Sequence, residues 1–173
     1  MEQIDRNKQM ITSLETFLVS EFRAYQTLLK LSRQEREALI KADVLSLAGT
    51  VEQKDALMVE IRRLQQDRSQ SVRAWAQTQE LSVENPSLRD ILPYVPQDAG
   101  QRMKRIRSGI LAISQELQDL THGNQALAAS ALERIDNMRT LILSFDQPAD
   151  HYIATGEKKS SMNSASLKLE ERA

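Results

Sequence analysis

The sequence predicts an all-α protein: an antiparallel three-helix bundle, made of a long helical hairpin plus a third long helix, with a flexible C-terminal tail. Three observations carry this. Between Met103 and Phe145, steps alternating by three and four meet Met103, Ile106, Ile110, Ile113, Leu117, Leu120, Asn124, Leu127, Ala131, Arg134, Met138, Leu141 and Phe145, and eleven of these thirteen are apolar. Their mean spacing, about 3.5 residues, is that of one helix face, and a stripe of this length has to be covered by other helices. The four prolines fall in two places, Pro86, Pro93 and Pro96 in one and Pro148 in the other, leaving 1–85 and 97–147 free of proline. Proline inside a helix costs roughly 3 kcal/mol, so these positions mark where long helices stop. Composition agrees: 4% aromatics, five glycines and 27% charged residues suit a helical protein better than a sheet protein.

The first helix is expected over about 4–41, where Ile4, Ile11, Leu14, Leu18, Phe22, Tyr25, Leu28, Leu29 and Leu39 recur at helical spacing. Its far end carries Ser32 and Glu35 on the same seam. A tight break is placed near Ala42–Asp43, with Asp43 capping the next helix by accepting backbone N–H bonds, the alternative being one continuous helix through this point. The second helix, about 44–79, takes its stripe from Leu47, Val51, Leu57, Met58, Ile61, Leu64, Val72 and Trp75. A connector over 80–97 holds Asn85-Pro86 and the two further prolines. Within it, Ser87 to Leu92 suits a short helical turn capped by Asn85 or Ser87, with Leu88, Ile91 and Leu92 inward. The third helix, about 98–145, is roughly 70 Å long, against about 55 Å for each of the first two. The short break makes those two antiparallel neighbours, and the third returns along both. About ten residues of the third helix therefore lack a partner of equal length. The bundle is expected to close at 148. Residues 149–173 are rich in Ser, Lys, Glu and Ala, and Tyr152, Ile153, Leu167 and Leu169 are their sizeable apolar anchors, too few to order the segment alone.

A net charge of -1 removes any global attraction to nucleic acid or an anionic membrane, and the absence of cysteine removes disulfides, thiolate nucleophiles and thiolate metal sites. The opening residues lack the apolar core of a secretory signal, and no run is long enough to span a bilayer, so a cytoplasmic protein without membrane insertion is expected. Asp119 and His122 stand three apart but off the seam, which suits a solvated face rather than a metal site. Glu21 and Glu35 lie on the first seam, where Arg68 and Arg134 on the other helices are placed to neutralise them as register-fixing ion pairs rather than acid/base catalysts. Asn124 on the third seam demands a polar partner and sets register in the same way. Arg102, Lys104, Arg105 and Arg107 form a basic run without an aromatic neighbour, a solvated face rather than a nucleic-acid site. No phosphate loop, nucleophile elbow or zinc spacing occurs. No enzyme activity, cofactor or metal is expected.

Leu120–Leu132 (LTHGNQALAASAL) resembles the "Asn…Leu…Ser" stretch in the last helix of FlgN-type flagellar export chaperones. Tyr152–Gly156 (YIATG) resembles that family's tail element Tyr-Gly-x-x-Gly, with Ile153 in place of the first glycine. Tyr25–Leu31 (YQTLLKL), Glu37–Leu39 (EAL), Asp43 and Lys54–Leu57 (KDAL) agree with its first hairpin. The resemblance spans nearly the whole chain and rests on helical patterns rather than one specific motif. It implies a cytoplasmic protein that binds the C-terminal amphipathic helices of hook-associated (hook–filament junction) proteins. It further implies that they are kept from premature association and delivered to the flagellar type III export gate. Cargo capture is then assigned to the C-terminal helical region, and gate docking to the tail tyrosine, here Tyr152 with Ile153 beside it.

The residues lead to a compatible expectation. A cargo helix needs an apolar surface that it can enter in register, and Met138, Leu141, Ile142 and Phe145 offer one, with methionine suited to more than one cargo. The alternative for these four is closure of the bundle end against the N-terminus of the first helix or the tail. A structural coiled-coil or scaffold role, with self-association through the same seam, is the rival reading. Nucleic-acid binding through 102–107 is the second. Weak self-association is compatible with the chaperone reading as well.

Overall fold

The computed structural model describes residues 2–145. The tail expected at 149–173, with Tyr152 and Ile153, lies outside them. Three long helices appear, α1 (Glu2–Lys41), α2 (Val44–Thr78) and α4 (Gln97–Phe145), with the short α3 (Leu88–Ile91) in the connector. The all-α class and the bundle are as the periodicity predicts. The chain forms two compact units, Met1–Arg134 and a second beginning at Ile135.

Local chemistry sets the boundaries in the first unit. Ala42 takes φ 54, the left-handed conformation that reverses the chain, and the Asp43 N–H donates back to the Ala38 carbonyl at 2.9 Å. Asp43 then caps α2: its Oδ1 accepts from the Ser46 N–H at 3.1 Å and its Oδ2 from the Ser46 hydroxyl at 2.6 Å. These bonds, the hydroxyl bond foremost, hold its carboxyl below the ordinary carboxylate value. In the connector, Ser87 is the cap of α3, and Asp90 accepts from the Ser87 N–H at 2.9 Å. A 3-10 turn at Leu92–Tyr94 begins at the position before Pro93 and carries the chain into α4. Leu88, Ile91 and Leu92 are buried as their spacing predicts.

Cross-chain contacts fix direction and register. Arg102 of α4 pairs with Glu15 of α1. The Gly109 backbone sits so near Phe22 that an added Cβ would come to 2.7 Å of the ring. Asn124 reaches the Ser32 carbonyl at 2.9 Å. Over this span α4 therefore runs parallel to α1, at a nearly constant offset in number, while α2 runs antiparallel to both.

The core is a column of two apolar blocks separated by a charged rung. Ile11, Leu14 and Leu18 of α1 pack with Val72, Trp75 and Ala76 of α2, with the connector residues, and with Ala99 and Met103 of α4. Trp75 is fully buried and donates its Nε1–H to Asn7 at 2.7 Å. The second block joins Ala24, Leu28 and Leu29 to Ile61 and Leu117. Between them lies Glu21, 3% exposed, accepting from Arg68 Nε at 2.8 Å. Beyond the second block the inward positions turn polar. Thr50 and Lys54 occupy the α2 stripe there, so Val51 and Met58, each one residue of about 100° off that stripe, are exposed rather than buried as expected.

Candidate partner-binding face

The described part of the second unit, residues 135–145, is helical throughout, and every side chain in it is exposed. At about 100° per residue, Ile135, Met138, Leu141, Ile142 and Phe145 fall within one arc of roughly 120°. Their exposures run from 56% at Leu141 to 79% at Phe145. Asp136, Asn137, Thr140 and Ser144 take the other side, and Leu143, also exposed, lies off the apolar arc. The hydroxyls there are satisfied within the helix: Thr140 donates to the Asp136 carbonyl at 2.9 Å and Ser144 to the Leu141 carbonyl at 2.6 Å. The segment is therefore a strongly two-sided helix with a bare apolar side, the kind of surface that normally has a partner.

Four of the five residues were expected from the sequence. Ile135 was not, because strict three-four stepping lands on Arg134. Alternating steps of four and three from Ala131, four first, instead meet Ile135, Met138, Ile142 and Phe145, a periodicity that was available in the sequence. Asn7, near the start of α1, is bonded to Trp75 of α2, and within residues 135–145 the apolar arc is exposed. Tyr152 and Ile153 lie outside the described residues.

The polar expectations divide. Glu21 pairs with Arg68 as anticipated. Glu35 does not meet Arg134, which is exposed and donates to its own helix at the Ser130 carbonyl. The cation at Glu35 is Lys54, at 2.6 Å, because Lys54 lies on the inward α2 stripe, whereas α4 meets Glu35 at Asn124 and carries Arg134 roughly 15 Å further along. Asn124 finds the polar partners it requires, donating to the Ser32 carbonyl and to Glu35 at 2.7 Å, while its buried Oδ1 has no partner among the described residues. Asp119 and His122 are exposed, and among the described residues no group of three metal-ligating side chains is assembled. The basic run disperses: Arg102 is held in its charged form by the Glu15 carboxylate, Lys104 and Arg105 face solvent, and Arg107 is half-buried. Among the described residues no helix is long and apolar enough to cross a membrane.

Residues 10–160 match the family model described as FlgN protein. No curated protein and no solved structure matches the chain.

Proposed function

We propose that this chain, which belongs to the FlgN family and so to the flagellar export chaperones rather than the enzymes, carries its client on the exposed apolar face of residues 135–145. The client is the C-terminal amphipathic helix of a hook-associated, hook–filament junction protein, bound in the cytoplasm and delivered to the type III export gate. Tyr152 and Ile153, in the tail element that resembles the family's, are the residues proposed for docking to the export apparatus.

The observation that supports this reading is the bare arc of Ile135, Met138, Leu141, Ile142 and Phe145. Full burial of each contributes roughly 1.5–3 kcal/mol. Association itself costs about 4–15 kcal/mol. A micromolar complex needs about 8 kcal/mol net. At the middle of these ranges the five supply roughly 11 kcal/mol where about 18 is needed, so the client has to bury an apolar face of its own in the same act. A second amphipathic helix does this, and a flat polar surface does not. Such a face also explains why a chaperone keeps the client from self-association: the client's sticky side is the side that is covered.

Isothermal titration of the purified chain with a junction-protein C-terminal peptide tests the reading. Micromolar binding is expected, weakened at least tenfold by Phe145→Asp with thermal stability unchanged. Absence of a complex at micromolar concentration, together with normal client export in cells carrying Phe145→Asp, overturns it.

A further inference from the structure

A second candidate site lies in the first unit. Leu18 and Glu21 of α1, Arg68 of α2, Leu88 and Arg89 of α3, and Arg107, Ile110 and Leu111 of α4 line a cleft of about 250 Å³. Three arginines from three different helices thus line it, against the one carboxylate of Glu21 in the lining itself. That carboxylate, Glu21, is 3% exposed and bonded to Arg68 Nε, so it belongs to the wall and leaves the other Arg68 donors open. Arg89 and Arg107 form no ion pair with another described residue. Asp90, beside Arg89 in sequence, accepts from both the Ser87 N–H and the Ser87 hydroxyl at Oδ2 and forms no ion pair with Arg89. The floor is apolar, with Leu18 and Leu88 buried, and Leu111 at the cleft is 53% exposed.

In a chain of net charge -1, this concentration of cations is local rather than a general surplus. We infer that the cleft receives an acidic side chain of a partner polypeptide, its carboxylate held by Arg89, Arg107 and the free donors of Arg68, with a flanking apolar residue of the partner resting on Leu111. Guanidinium donors suit a carboxylate because two parallel N–H···O bonds match its two oxygens. The volume is below the roughly 300 Å³ at which small-molecule pockets begin, which favours one side chain over a nucleotide. The apolar floor and Leu111 distinguish a peptide from a bare anion. The site uses none of residues 135–145, so the protein would hold two polypeptide contacts on separate surfaces.

Arginine Nε–H resonances of the ¹⁵N-labelled full chain provide the test, with Arg89→Gln and Arg107→Gln assigning the two signals by their loss. The probes are acetyl-Leu-Glu-Glu-Leu-amide, its Gln-for-Glu counterpart, and sodium sulfate. The acidic peptide is expected to shift both signals at low millimolar concentration, about tenfold more tightly than either control, as charge-assisted pairing predicts. Raising the salt weakens it, and Arg89→Gln, at an exposed position that leaves the fold intact, removes the shift at Arg107. Equal response to the glutamine peptide, response to sulfate as strong as to the acidic peptide (an adventitious ion only), or an unchanged Arg107 shift in Arg89→Gln each overturns the inference.

Discussion

Met103 and Met138 lie on the same helix about ten turns apart, and they meet opposite fates. Met103 is fully buried against α1, α2 and the connector, while Met138 is 61% exposed. The same holds along the whole seam: Leu117 and Asn124 are buried, whereas Leu141 and Phe145 are not. The residue types and spacing barely change between the two stretches. Amphipathicity therefore specifies that a face needs a cover and says nothing of who provides it. In the first stretch the chain covers itself, and the face serves stability. In the second the face is available for the partner proposed above.

The largest test of this contrast compares deletions on the two sides. Trp75→Ala opens the core and orphans the Asn7 acceptor, and is expected to cost about 3–5 kcal/mol of unfolding free energy in urea. Met138→Ala is expected to change it by less than about 0.5 kcal/mol. A comparable loss from both would mean that residues 135–145 are covered in solution, and the contrast would collapse.

The ion pairs sharpen it next. Arg68→Met leaves Glu21 buried without its cation and is expected to destabilise by about 2–4 kcal/mol. Arg134→Met, at an exposed position bonded to its own helix, is expected to leave denaturant midpoints unmoved. A smaller effect is expected at the polar end of the column. Asn124→Leu removes the donor to Ser32 and Glu35 but also the unpaired Oδ1, so a net cost of about 1–2 kcal/mol is expected by thermal unfolding.

The smallest effect concerns the hairpin cap. Asp43 has a lowered carboxyl pKa in the folded chain, so its ionised form stabilises. That contribution is fully present above the ordinary carboxylate value, about 3.9. It is lost as pH falls through the lowered folded value. Asn caps equally well without titrating. Wild type and Asp43→Asn should therefore unfold alike at neutral pH, and wild type should fall behind the variant in acid. Parallel pH profiles would remove Asp43 as the cap that matters.

Much of this was legible beforehand because the signals are local. Asp43 capping, the turn at Ser87 and the inward Leu88, Ile91 and Leu92 follow from residue type and a few neighbours. The pairing of Glu21 with Arg68 was readable as well, since both lie mid-seam on antiparallel helices. Glu35 was misassigned because its partner depends on the register of α4 along α1, which puts Asn124 rather than Arg134 at its level. Lys54 reaches it from the inward stripe of α2. At Ile135 the error was one of phase, one residue or about 100° of helix. The arginine cleft left no sequence signal, since Arg68, Arg89 and Arg107 are far apart in the chain and meet only through packing.

The sequence by itself determined where helices begin and end and which side of each is apolar, because proline exclusion, capping and periodicity act over a few residues. Only the tertiary structure decided which stretch of the long seam is covered, which cation answers which carboxylate, and where three arginines line one cleft. Those outcomes depend on the translation and rotation of whole helices against one another, which no short stretch of residues encodes.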